Sequence, residues 1–596
     1  MSDPQKDQGL RPELRILIAS LLSMIVIIAW AKFFAPKAPP ASQQNSPAAT
    51  SPATSSASGQ TSPAAPSGGN TAAAAKAAVA AAPLAAVKSD SQERSIVVEN
   101  GLYRVEFSNR GGVVKSWQLK KYKDDSKPQR VLDLVHADAS QEIGGWPLSV
   151  SLGDNTLDYN ANNGLYQATT QGSSASATLA VPVELDFVWS DGHLEIGKHF
   201  KFDDSYVVQT EISAKLDGKP VTAGLSWMGG FGDPTVTNPI PVETVSTFYS
   251  EGGKLSGFVH KKLDDQGKWG PAIWQGGKDW AGIEDRYFTA AFLAPVGASP
   301  GTVETRYWKY WHTAKVTNND GKMEDKAEPV PQVSVATAAQ PMALRLFVGP
   351  KDYDDLKKMN PPLQSLVNFG WLEIIADPLF HALKWLHGYI PNWGWAIVVL
   401  TLVANMLLFP LRISSYRTTM KMQRVAPEIK AINDRYKKYK LNDPKQQEKN
   451  QEVMAVYQRE GINPVGGCFQ MLVQMPIWIG LNRALGSAIE MRHAPWFWWI
   501  KDLSARDPYY ILPVVMAGSM YLATKMTPMT TTDPQQQMMM KFMPISFALM
   551  FMFFPISSGL AVYILTSSMV GVGQQWYLNR THPVTAPVKA ERGKKS

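Results

Sequence analysis

Polar side chains that recur at helical spacing inside apolar runs are the residues of this chain equipped for chemistry. Thr401 and Asn405 lie four apart, as do Gln470 and Gln474, and Asn482-Arg483 follow the second pair. Tyr563, Thr566, Ser567 and Ser568 interrupt a last apolar run. A polar group in hydrocarbon is costly unless it is partnered or hydrated. Apart from Arg483 these groups are neutral donors and acceptors. They suit a wet groove that receives a polar peptide segment, and they offer no acidic proton relay or coupling-ion cluster. Ordinary hydrogen bonding between helices accounts for them equally well. A second set is basic: Arg417, Lys421, Arg424, Lys430, Arg435, Lys437 and Lys438. It reads either as a solvated face or as a dock for ribosomal RNA, anionic lipid or an acidic partner. No Walker loop, H-E-x-x-H or nucleophile elbow is present. His193, His199, His260 and His312 lack metal-ligand spacing. The single cysteine, Cys468, excludes a disulfide framework. No catalytic residue, metal or cofactor is expected, and the chain does not read as an enzyme.

The elements that must carry these residues follow from composition. The run Ile16–Ala31 behind Arg11 and Arg15 reads as an uncleaved anchor (1–35). Ala29-Trp30-Ala31 keeps a cleaved signal peptide open as the rival. Residues 36–94 are an Ala/Pro/Ser tether that cannot bury a core. From residue 95 to 350, period-two alternation predicts a large exported antiparallel β-sandwich: Tyr103, Val105 and Phe107; Val113 to Leu119; Leu194, Ile196 and Phe200. Trp227–Gly230 and Trp269–Trp280 form either an aromatic ligand cleft there or core packing. In the stretch 351–390, residues Leu366–His387 predict an amphipathic helix in the membrane interface, bent at Pro378. Its stripe Glu373, Asp377, His381, Lys384 faces solvent outside.

Spans are expected at Trp393–Leu411 (within 391–411) and, within 464–578, at Val465–Leu485, Tyr509–Thr524, Phe542–Ser557 and Gly559–Tyr577. With the anchor this makes six transmembrane helices. Segment 412–463 reads as a helical hairpin with apolar stripes Ile429, Ile432, Tyr436, Tyr439 and Val453, Val456, Tyr457. Residues 412–460 hold twelve basic and six acidic groups, and the tail 579–596 is basic. The positive-inside rule puts both, and both termini, in the cytoplasm. Met526, Met529 and Met538–Met540 suggest a flexible cytoplasmic lid. The whole is a multidomain membrane protein: a polytopic α-helical membrane domain plus the β domain outside. Its net charge of +8 is therefore a sum over unlike parts.

The motifs Arg459-Glu460-Gly461-Ile462-Asn463-Pro464, Gln474-Met475-Pro476, Asp502–Pro513, Thr532-Asp533-Pro534, Phe542-Met543-Pro544, Ser558-Gly559-Leu560 and Gln574-Gln575-Trp576 are specific. The chain resembles the YidC/Oxa/Alb membrane protein insertases of the Gram-negative, six-span type. The resemblance implies insertion and chaperoning of inner-membrane proteins, alone or with the Sec translocon, through a hydrophilic groove open to cytoplasm and lipid. Implied partners are nascent membrane proteins, the Sec translocon, the ribosome, the signal recognition particle receptor and anionic lipids. The implied location is the bacterial inner membrane. The family's groove arginine is expected six residues before the Leu of Phe409-Pro410-Leu411. Asn405 stands there. Hydration of Asn405, with Arg483 either auxiliary or snorkelling, is the expected substitute. The alternative is a solute transporter with a sugar-binding β domain. It would require symmetric broken helices and ionisable midplane residues, and neither is evident.

Overall fold

A computed structural model describes residues 86–235, 245–259, 262–264, 270–271, 273–317, 323–338, 341–367, 369–439, 443–463, 466–527 and 556–581. The expected anchor and most of the tether lie outside the described residues, as do nearly all of Phe542–Ser557, Met529, Met538–Met540 and most of the tail.

Residues up to Pro350 build three sheets. The largest runs, in hydrogen-bonded order, Lys254–Val259, Ser246–Glu251, Trp280–Glu284, Phe288–Leu293, Met342–Pro350, Val207–Leu216, Leu194–Phe202, Val183–Ser190 and Gln167–Thr170. The second centres on the long pair Val303–Thr317 and Met323–Thr337, and the third on Tyr103–Ser108 and Val113–Lys123. One core joins all three, with Tyr103, Phe107, Trp117, Phe187, Phe200, Trp227 and Val333 buried together. The alternation that predicts the strands is the alternation that is buried. One pairing departs from the antiparallel expectation. Ser95–Glu99 lies parallel to Thr178–Ala180, and two short helices, α1 (Ala137–Ile143) and α2 (Asn155–Asn163), lie in the chain between them.

Lys198 is an unanticipated part of this core. The residue is 1% exposed, and its ammonium donates to the carbonyls of Gly111 (2.7 Å), Leu148 (2.8 Å) and Gly112 (3.0 Å). Burial pushes it down to about 7. Gly111 and Gly112 turn through positive φ, which aims both carbonyls inward. Within the candidate aromatic cleft Trp269 lies outside the described residues, and the described tryptophans pack against protein groups. Trp227 is buried against Trp117 and donates to Gly230 O (2.9 Å), and Trp274 lies over the Arg306 guanidinium at 4.0 Å.

The rest is helical: α3 (Tyr353–Lys358), α4 (Glu373–Tyr389), α5 (Trp393–Leu407), α6 (Phe409–Tyr436), α7 (Lys445–Arg459), α8 (Gly466–Ser487), α9 (Ile511–Met526) and α10 (Ser558–Thr581). The amphipathic helix begins at Glu373 rather than Leu366, since Gly370 adopts φ +72° and the stretch before Glu373 forms only short 3-10 turns, Gln364–Leu366 and Gly370–Leu372. It then continues through Pro378. The run Trp393–Leu411 is also cut. α5 ends at Leu407 and meets α6 at 54°, because Pro410 lacks the N–H that a continuous helix needs. Among the described residues no single helix is long and apolar enough to cross a membrane. The bent pair α5–α6 passes that test together, and α9 is a shorter apolar helix.

Two features tie the helices to the β domain. Phe248, Trp280 and Phe347 share a core with Phe380, Leu400, Leu481 and Leu485. The segment after α8 also hooks into the β domain. Ile489 joins the sheet core, Arg286 Nε donates to Gly486 O (2.7 Å), and buried Arg492 pairs with Asp233 and lies 3.6 Å from Asp125.

Candidate functional site

A cavity of about 160 Å³ opens where α5, α6, α8 and α10 converge. It is lined by Asn405, Leu408, Arg412, Gln474, Ser567 and Gln574. Three of these were expected from sequence. Asn405, at the end of α5, donates from Nδ2 to Thr401 O (2.8 Å) and to Ser567 Oγ (3.4 Å). Gln474 on α8 donates to Tyr563 Oη (3.3 Å). Ser567 belongs to α10, which packs along α5. Thr401 and Thr566 are placed beside the cavity rather than in its lining. Their hydroxyls donate to Ile397 O (2.7 Å) and Val562 O (2.8 Å) of their own helices. Gln470 lies on α8, but its side chain is outside the described residues. Arg483 is exposed near the end of α8 and is not among the lining residues.

Among the described residues, the cation lining the cavity is Arg412. Its Nη1 donates to Gln574 Oε1 (3.0 Å) and its Nη2 to Gly571 O (3.0 Å). Gln574 in turn donates from Nε2 to Asn405 O (3.2 Å), so one amide ties α5, α6 and α10 together. Gly571 permits this approach, since a Cβ there would stand 3.3 Å from Arg412 Nη1. Sequence reading missed Arg412 and Gln574. For Gln574 the available signal was spacing, seven residues or two helical turns beyond Ser567 on α10, whereas the bend between α5 and α6 takes Arg412 out of register with Asn405. The wall is therefore mostly neutral and hydrogen-bonding, with one guanidinium. It can hydrate, accept a polar chain and attract a carboxylate, and among the described residues its lining holds no acid–base pair.

The basic surface lies on α6 and the turn that follows it. Val425, Ile432, Tyr436, Val456 and Ile462 form the seam between α6 and α7, with Ile429, Tyr439, Val453 and Tyr457 packed against it. Arg417, Lys421, Arg424, Lys430, Lys437 and Lys438 are exposed. Arg435 is also exposed, but it pairs with Glu452 at 3.0 Å across the seam.

On α4, Ile374, Trp385 and Tyr389 are exposed, as an interfacial helix requires. The expected solvent stripe is altered there. Lys384 turns inward to Asp354 (2.7 Å) and Glu490 (3.0 Å). Burial works against its charge, and the two carboxylates outweigh burial and raise its pKa. Asp125, His493 and Asp502 bring possible ligand atoms within 4.8 Å of one another. His493 Nε2 meets Asp125 Oδ1 at 2.7 Å, and the hydrogen bond from His493 lowers the Asp125 pKa. With Arg492 alongside, this group reads as an ion-pair hook.

Comparison with known proteins finds relatives over most of the chain. A family model described as "60Kd inner membrane protein" matches residues 385–585, and one described as "YidC periplasmic domain" matches residues 95–382. A protein of Syntrophus aciditrophicus named "Membrane protein insertase YidC" is 32% identical over 511 residues, covering 83% of this chain and 86% of the relative. One of Geobacter sp. strain M21 with the same name is 33% identical over 494 residues, covering 82% and 86%. Among solved structures, one titled "Active YidC insertase crystal structure with the first transmembrane domain resolved" aligns at 17% identity. It covers 83% of this chain and 95% of the other, with a TM-score of 0.34.

Proposed function

The chain belongs to the family of the membrane protein insertase YidC, and from that premise we propose that insertion runs through the cavity at Asn405, Arg412, Gln474, Ser567 and Gln574. The protein is an inner-membrane insertase with a periplasmic β domain, not an enzyme, and nascent membrane proteins are its substrates. The observation that carries the site is the joining of a guanidinium and four neutral polar side chains around one cavity among apolar helices. Such groups keep water in the groove and lower the cost of holding a polar segment at membrane depth. Asn405 occupies the expected position of the family's arginine, and Arg412, seven residues on and past the bend, restores the charge from α6.

In this reading the anchor, α5, α8, α9, the run Phe542–Ser557 and α10 make six spans. Both termini, the α6–α7 hairpin and the basic tail are cytoplasmic. The exposed lysines and arginines of α6 suit a ribosome, the signal recognition particle receptor or anionic lipid. The Sec translocon would meet the helices from the lipid side.

The test is a photoreactive residue at Ser567, with a second at the exposed Leu407, in vesicles inserting a short two-span protein. Cross-links at Ser567 that appear during insertion and disappear afterwards are expected. Equal, insertion-independent cross-linking at both positions would overturn the site. Depletion that left insertion intact while abolishing uptake of a solute would favour the transporter reading instead.

A further inference from the structure

Arg412 reaches the cavity on a long side chain, and a neutral amide on another helix holds it there. The 54° bend ends α5 at Leu407, so the carbonyls of its last turn lose partners that a continuous helix would supply. Asn405 O belongs to that turn, and Gln574 Nε2 donates to it at 3.2 Å. Gln574 Oε1 then accepts from Arg412 Nη1 at 3.0 Å. These two partners fix which way the amide points. A carbonyl only accepts and a guanidinium only donates, so the opposite orientation would set like against like at both ends. Gln574 lines the cavity from α10 and is 8% exposed. Its amide is held at one end by the bend and at the other by the cation. On the preceding turn of α10, Gly571 O takes Arg412 Nη2 at 3.0 Å. The guanidinium is thus pinned at both Nη atoms.

The geometry points to Gln574 as a positioning residue that sets the groove's preference for acidic segments, acting through Arg412. This rests on the reading of the cavity as the substrate groove. A free arginine gives up much rotamer freedom when it pairs with a carboxylate. Gln574 and Gly571 O place the guanidinium beforehand, so less is given up when a substrate carboxylate arrives. The chain thereby links three local features in order. Pro410 bends the helix, the bend turns Asn405 O to the Gln574 amide, and that amide presents its oxygen to the cation.

The experiment uses the full chain in vesicles and reads the charge in the cavity in two ways. The first needs no substrate. A chain with Cys468→Ser and a reporter cysteine at the lining residue Leu408 is treated with an anionic and a cationic methanethiosulfonate, and the ratio of the two rates is taken. The second is the ratio of Ser567 cross-links to a small substrate with an acidic or a neutral tail. Gln574→Met keeps the length of the side chain and removes both hydrogen bonds. It is expected to lower both ratios roughly 3- to 10-fold, the size of one net hydrogen bond, while the neutral tail cross-links as in the parent. Gln574→Asn keeps the amide, is one methylene too short to span both partners, and should fall equally. On an Arg412→Leu background Gln574→Met should change neither ratio further, as a residue acting through the cation requires. Unchanged or higher ratios in Gln574→Met, parent-like ratios in Gln574→Asn, a fall that persists without Arg412, or equal loss of acidic and neutral cross-links would each overturn the assignment. If the reagent ratio responds while Ser567 never cross-links to substrate, the groove reading falls and the positioning of Arg412 stands. If Ser567 cross-links and neither ratio responds, the positioning role alone falls.

Discussion

Replacing Arg412 by leucine should separate charge attraction from hydration in the groove. The guanidinium is half-buried and uses two of its donors on Gln574 Oε1 and Gly571 O, which leaves three for a ligand. A substrate carboxylate about 4 Å away gains roughly 4 kcal/mol at an effective dielectric of about 20. A cavity bordered by Asn405, Gln474 and Ser567 is wetter than that, so about 1–3 kcal/mol is the working figure, or roughly 5- to 150-fold in occupancy. The assay is cross-linking from Ser567 to two versions of a small substrate, one with an acidic tail and one with that tail neutralised. In the parent the acidic tail should be preferred by this factor. In Arg412→Leu the preference should vanish, while the neutral tail cross-links as before. Arg412→Lys should keep most of the preference, since it retains the charge and loses only the forked geometry. A preference that survived in Arg412→Leu would refute the assignment of the charge to Arg412. A preference lost equally in Arg483→Ala would place it on α8.

Three further outcomes test the frame around the groove. Arg492→Ala leaves Asp233 buried without its cation, at a cost of about 3–5 kcal/mol. The segment after α8 should become protease-sensitive while the β domain stays resistant. Lys198→Met strips the donor from three inward carbonyls, at about 1–3 kcal/mol each before relief of ammonium burial is subtracted. A net loss of roughly 2–4 kcal/mol should appear as a lower melting temperature of the β domain, and an unchanged melt would show that the carbonyls are satisfied otherwise. Burial pushes the Asp158 carboxyl up to about 6 from an unfolded value near 3.8, so the folded state holds the proton more tightly. Its contribution therefore favours folding below about pH 4 and is lost as pH rises through about 6, by at most about 3 kcal/mol. Asp158→Asn keeps an acceptor for Leu152 N and should remove this slope from the difference between the two melting profiles.

Much of the architecture was legible because it is periodic and local. Alternating Tyr103, Val105 and Phe107 could only be a half-buried strand. The paired stripes of α6 and α7 had nothing to bury against except each other. The segment around Gln474-Met475-Pro476 and Gln574-Gln575-Trp576 carried the family resemblance without any coordinates. Local pattern also misjudged some features. The stretch from Leu366 reads as continuous helix by periodicity, yet Gly370 takes a backbone conformation that ends it. The run through Leu411 reads as one span, yet Pro410 bends it.

The sequence by itself determined the kind of protein: an apolar helical part with neutral polar positions, a β domain, a basic hairpin and the family to which they belong. Those properties are carried by spacing along one segment at a time. The tertiary structure decided which cation occupies the groove. Arg412 reads as the first residue of a solvated basic segment. It turns inward because the chain bends just before it and because Gly571, 159 positions later, leaves room for its guanidinium to reach a carbonyl. Lys198 within the sheets and Arg492 between Asp125 and Asp233 are of the same kind. Each depends on partners that only folding brings within hydrogen-bond reach, and no periodicity along the chain encodes that meeting.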